Sequence, residues 1–214
     1  MNYLNIIKKN AFPFIWEALF ILLSYTSKEY LLYINFLFFA GLIVYFHKEF
    51  SMKEFAHSIR NIKGFWIPLL LTLVAICIMY EIKKYMISTL FWNMSQGVLS
   101  VSYKPTSWVQ VCVYFMTVML MVPVAEALFY RKYLINFSSK KAMFITALIS
   151  MVLLALIHAH AWPAALEYII MALPVLVVYM ATKNMYVSLL VQLGFCIYTN
   201  GQDLIYVMAR LYTR

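Results

Sequence analysis

The chain has 214 residues, 65% of them hydrophobic and 12% charged, with a formal net charge of +9 and a mean hydropathy of +0.82. Soluble domains run at about 45–50% apolar and about 25% charged, so a soluble globular fold is excluded; lipid, by contrast, solvates the outside of a membrane helix. The basic residues cluster between apolar runs, the pattern of topology signals and headgroup contacts, which excludes nucleic acid as a partner and makes the lipid bilayer one.

In chain order, Lys8 and Lys9 precede an apolar run that Glu17 interrupts, and no small-residue cleavage site follows; this start reads as a retained anchor, not a cleaved signal peptide. A spanning helix needs about 20 mostly apolar residues. Runs of this kind lie at 11–25, 30–46, 65–82, 107–129, 142–160, 164–181 and 186–208, which predicts seven spans, give or take one. The first two are short and are expected to tilt or to pack as a hairpin. Residues 47–63 are the most polar stretch. Phe50, Phe55, Ile59 and Ile62 fall near one helical face there, the pattern of a cytosolic amphipathic helix on anionic headgroups or of an ordinary connector. Segment 86–104, with Phe91 and Trp92 at its centre, reads as an interfacial or re-entrant piece. Five glycines and six prolines leave little chain for long loops, so residues 1–214 form one all-α membrane domain, a polytopic helix bundle.

Orientation follows from Lys and Arg in the connections. Lys8, Lys9, Lys48, Lys53, Arg60, Lys63, Arg131, Lys132, Lys140, Lys141 and Lys183 fall on one side, eleven of the seventeen basic residues; Lys28, Lys83, Lys84, Lys104, Arg210 and Arg214 fall on the other. The larger set belongs in the cytosol, which puts the N-terminus inside. The three cysteines, Cys77, Cys112 and Cys196, lie in apolar runs and form no CxxC pair; the first two read as buried packing residues.

Ionisable residues within apolar spans are costly and default to functional hypotheses. Glu126, in Val-Pro-Val-Ala-Glu-Ala-Leu-Phe-Tyr-Arg-Lys, and His158, in Leu-Ile-His-Ala-His, are the two that stand out; Glu17 and Glu167 lie nearer segment ends and can snorkel. If the chain turns at Ser138–Lys141, Glu126 and His158 sit about 21 and 27 Å from that turn at 1.5 Å per residue, within about one helical turn of each other in height. A carboxylate beside an imidazole can hold and activate water, with Glu as general base; the same pair can equally be a structural hydrogen bond. His160 lies about 200° of helical rotation from His158, so only one of the two can face Glu126. Pro123, three residues before Glu126, is placed to kink its helix.

These residues resemble the motifs of the CPBP family, the membrane-embedded CAAX-protease and bacteriocin-processing (Abi) proteins. Its first motif, Glu-Glu-x-x-x-Arg, resembles the stretch Pro123 to Leu134, with Glu126 and Arg131 at the Glu and Arg positions and Tyr130 between them. Its second, Phe-x-x-x-His, is similar to Leu154-Ala155-Leu156-Ile157-His158. The lead-in to its third, His-x-x-x-Asn or Asp, matches Thr182 to Val191, but Gln192 and Cys196 occupy the motif positions. Ala127 stands where the second Glu of the first motif is expected. The resemblance covers roughly residues 107–200. It implies a helical membrane fold with a polar cavity opening to the cytosol, a bacterial plasma membrane as the location, and cleavage of membrane-associated peptides, in some members after a prenylated cysteine. In that reading Glu126 activates water, with or without a divalent metal, and His158 polarises it or the scissile carbonyl.

The departures weaken that chemistry. Ala127 can neither bind metal nor accept a proton, Gln192 cannot act as a base, and Cys196 is a weak hydrogen-bonding partner. Gln192, Cys196 and Asn200 nonetheless fall at i, i+4 and i+8 on one helix face, so a polar stripe is retained. Two functions follow: an intramembrane endopeptidase with a reduced Glu/His site acting on a membrane-associated peptide, or an inactive family member serving in bacteriocin immunity or as a scaffold or regulator of a cell-envelope partner. A small transporter or channel subunit accounts for the composition but not for the order of the motifs.

Overall fold

A computed structural model describes residues 11–90, 105–159 and 162–213 and is all-α over them, with no strand among the described residues. Helices α1 (Ala11–Thr26) and α2 (Leu31–Phe46) are joined by a short 3₁₀ turn, Lys28–Tyr30, and pack on each other. The hairpin closes on a polar tie, Trp16 Nε1–H to Phe38 O at 3.0 Å, and on Phe20 stacked against Phe38 with centroids 4.2 Å apart. Gly41 makes this approach possible: a Cβ there would lie 2.7 Å from Trp16 Nε1. Gly41→Ala is therefore expected to destabilise the protein by about 1–3 kcal/mol through overpacking, read as a lowered melting temperature in detergent.

Next comes the short helix α3 (Met52–Arg60), capped by Ser51, whose side chain accepts from Glu54 N–H. After a π-turn at Ile62–Trp66, α4 runs from Ile67 to Leu90. The α3 region packs on protein as well as lying at the bundle end. Phe50 and Phe55 have ring centroids 5.6 and 5.3 Å from that of Tyr186, whose hydroxyl donates to Ser51 O at 2.8 Å and accepts from Ser51 N–H at 2.9 Å. Only Ile62 of the expected apolar face is left exposed as a large aliphatic side chain.

Helix α5 (Trp108–Tyr133) is followed by α6 (Lys140–His158), α7 (Trp162–Thr182) and α8 (Met185–Tyr212). Leu31–Glu49, Ile62–Met86, Trp108–Tyr133, Lys140–His158 and Ala164–Thr182 are long and apolar enough to cross a bilayer. The other two expected spans are α1, only 16 residues long, and α8, whose 28 residues carry Gln192, Thr199, Asn200 and Arg210 and reach about 42 Å, beyond the ~30 Å hydrocarbon layer. The chain is a multi-pass membrane protein, an all-α polytopic bundle.

The core is contiguous from Phe38 and Phe39 of α2 through Leu128 and Phe129 of α5 to Val187 and Val191 of α8. The outward faces of the spans remain apolar, as in Leu70, Leu71, Leu148 and Val177, which is what lipid contact requires. The free thiols of Cys77 and Cys112 are on these exposed faces and not in the core, correcting the expectation of buried packing residues. Residues 91–104, with the expected interfacial piece, and His160 lie outside the described residues.

The two ends of the bundle differ. At one end, Lys132 of α5 pairs with Glu49 (3.4 Å) and Tyr186 of α8 ties to Ser51, so the α2–α3, α5–α6 and α7–α8 connections lie together. At the other, Lys83 of α4 forms an ion pair with Glu167 of α7, and Arg210 of α8 donates to Pro105 O at 3.3 Å.

Candidate active site

Helix α5 is irregular where it matters. Its α-helical start, Trp108–Tyr114, gives way to a π stretch at Phe115–Met121, returns to α-helix at Val122–Glu126, and becomes π again at Ala127–Tyr133. Pro123 cannot donate a backbone N–H, and the ladder around it is redistributed into wider turns, such as Val122 N–H to Thr117 O. Glu126 is the last residue before the second wide stretch. Its carboxylate is thereby aimed inward with a side-chain exposure of 7%.

Helix α6 begins at a Ser139 cap and ends at His158, where Ala159 turns into extended backbone. The helix terminus thus presents the imidazole at a fixed height. His158 Nε2 lies 2.7 Å from Glu126 Oε1. With the carboxylate ionised it can only accept, so Nε2 carries the hydrogen. The ring is held flat against Tyr168, with centroids 4.7 Å apart and planes at 12°, and its other stacking neighbour is Phe39 at 6.3 Å.

Gln192 of α8 donates from Nε2 to Glu126 Oε2, while its own Oε1 is buried without a partner. Three helices therefore converge on one carboxylate, and each of its oxygens has one donor. This is the wall of a cavity of about 1010 Å³, which Cys196, Asn200 and Tyr168 also line. The polar stripe expected on α8 is all in this cavity, but Asn200 is already engaged: its Oδ1 accepts from Tyr114 O–H at 3.2 Å and its Nδ2 donates to Cys196 O at 3.1 Å.

Arg131 and Tyr130 do not line the cavity. Both are fully buried behind it. Arg131 Nη1 is 3.5 Å from Ser150 Oγ, Ser150 donates to Tyr130 O at 2.5 Å, and the guanidinium lies within electrostatic reach of Glu126. These two residues brace α5 against α6 and hold a cation behind the carboxylate.

Sequence reasoning passed over Glu17, expected to snorkel from a segment end. It is buried, with the Tyr130 hydroxyl as its polar neighbour, although neither group makes a hydrogen bond of good geometry. The signal was its phase: Pro13, Glu17, Phe20 and Ser24, the buried residues of α1, follow the 3–4 spacing of one helix face. Tyr168 and Phe39 were likewise missed, since an aromatic ring in an apolar span carries no local mark of stacking on an imidazole.

A divalent metal would need more protein ligands than this site brings together. Glu126 and His158 bond to each other, and among the described residues no three His, Cys, Asp or Glu side chains converge. The donor set of the described residues does not fit a protein-held metal.

The cavity extends from Glu126 to Lys83, Pro105, Tyr206 and Arg210, at the bundle end away from Lys132 and Lys183. The start of α1 lies at the other end, where Phe12 stacks on Tyr45 of α2, so a cytosolic start of α1 and a cavity opening to the cytosol, both expected from the sequence, are mutually exclusive.

A family model described as Rce1-like, type II CAAX prenyl endopeptidase Rce1-like, matches residues 108–196. The resemblance to CAAX-protease proteins thus holds across the segment containing Glu126, Arg131, His158, Gln192 and Cys196. No curated protein and no solved structure matches the chain.

Proposed function

We propose, from the premise that the 108–196 core is that of a CAAX-protease-like membrane protein, that this chain is an intramembrane endopeptidase working through Glu126 and His158 without a protein-held metal. The observation that carries the reading is the 2.7 Å Glu126–His158 contact on the wall of a large cavity. An ionised carboxylate has about four lone-pair positions, and His158 and Gln192 use one on each oxygen. A water bound to a remaining position would give its proton to Glu126 as its oxygen attacks a peptide carbonyl. The second N–H of the Gln192 amide is a donor near the charge that develops, the His158 Nε2–H keeps the carboxylate oriented, and Glu126 would then return the proton to the leaving amine.

The second reading, an inactive family member acting in immunity or as a membrane scaffold, is favoured by the Gln192 bond, which commits Glu126 Oε2 to a structural partner. The variant Gln192→His/Cys196→Asn tests between them by restoring family residues. Ala127 is left alone, because it is fully buried and a Glu there would overpack the core. In lipid nanodiscs with membrane-anchored peptides, the natural chain should cleave and the double variant should do so about 100-fold faster. His158→Ala should abolish both activities. Cleavage by none of the three proteins, all folded, would hand the case to the scaffold reading.

A further inference from the structure

The molecule is asymmetric across the membrane in two ways that bear on each other. The first is access. The residues between Glu126 and the Lys132–Glu49 end, namely Leu128, Phe129, Tyr130 and Arg131, are at most 1% exposed. A smaller cavity of about 360 Å³ at that end, lined among others by His57, Lys132 and Lys183, shares no residue with the one that holds Glu126. The large cavity runs the other way, along α8 through Thr199 to Tyr206, which is 70% exposed, and to Arg210.

The second asymmetry is charge. Among the described residues, the connections at the closed end hold eight Lys and Arg: four in residues 48–63, then Lys132, Lys140, Lys141 and Lys183. The end with the cavity mouth holds, among the described residues, Lys28, Lys83, Lys84 and Arg210. Excess Lys and Arg in short connections mark the cytosolic side, and anionic lipid on that leaflet adds about 1 kcal/mol per basic residue near the surface. The large single difference, the 48–63 stretch, is a short connection of the kind the rule counts.

Taken together, we infer that the Glu126–His158 cavity is entered from the extracytosolic face, so that its substrate is an extracytosolic polypeptide segment reaching down along α8. This rests on the proposed function for the word substrate, but the side of entry is measured without turnover.

The test uses the full-length protein in the membrane of a bacterial host, with Cys77, Cys112 and Cys196 replaced by Ala and one reporter added at a time: Tyr206→Cys at the mouth, Thr199→Cys within the cavity, Lys140→Cys at the other end. A small, charged, membrane-impermeant thiol reagent is applied to spheroplasts before and after permeabilisation. Tyr206→Cys and Thr199→Cys should label in intact spheroplasts, and Lys140→Cys should gain at least about tenfold only on permeabilisation. The reverse pattern would overturn the side of entry and leave the Glu126–His158 chemistry standing. Thr199→Cys that labels from neither side, yet labels fully once denatured, would mean a dry cavity and overturn both.

Discussion

Glu126→Gln is expected to lower peptide cleavage by about 10²–10⁴-fold, the range that a positioned general base supplies, while protein abundance stays near that of the natural chain. The two halves of that expectation come from the same geometry. Gln has the shape of Glu but one acceptor oxygen where the carboxylate has two. In the natural site Oε1 receives His158 and Oε2 receives Gln192. In the variant one of these contacts survives as it is. The other survives if His158 shifts its hydrogen to Nδ1 and accepts from the new amide, which costs about 1 kcal/mol or less in folding terms. What cannot survive is proton abstraction from water, because an amide is not a base at neutral pH. Cleavage rates in nanodiscs beside a detergent melting curve read both halves; unchanged cleavage would remove Glu126 from the chemistry.

Arg131→Ala is expected to act in the opposite way, by reducing the amount of folded protein. Arg131 is among the largest fully buried side chains. Its loss opens a cavity behind α5, leaves Ser150 without its guanidinium neighbour, and removes a cation within electrostatic reach of the buried Glu126. Truncating a large buried side chain costs about 2–5 kcal/mol. Two of its nitrogens, Nε and Nη2, already lack partners, a standing cost that the substitution relieves, so the low end of that range applies. Arg131→Lys, which keeps the charge but not the planar fork, should fall between. Steady-state abundance and melting temperature decide this, and an Arg131→Ala protein as abundant and as heat-resistant as the natural chain would refute the bracing role.

How far the site was legible is clearest from individual residues. Glu126 and His158 were marked by chemistry alone, since an acid or an imidazole inside an apolar run has to have a reason. Their similar depth, to within about one helical turn, came from counting residues back to the α5–α6 turn. Gln192 was read only as a motif position that had lost its histidine; that it bonds to Glu126 depends on the rotation of α8 about its own axis. Glu17 was misjudged because distance to a segment end says nothing about which way a short helix turns. Cys77 and Cys112 were misjudged for a related reason: in a lipid-facing helix, an apolar run does not distinguish inside from outside.

By itself the sequence determined that the chain lives in a membrane, which segments are apolar enough to enter it, and which acid and imidazole stand at similar depth. Hydropathy and rise per residue suffice for these, because each is a property of a single helix. Only the tertiary structure decided what faces the carboxylate, that Arg131 and Glu17 are sealed behind it, and toward which end of the bundle the cavity runs. Those depend on how irregular helices such as α5 rotate and pack against their neighbours, and no one-dimensional pattern carries that angle.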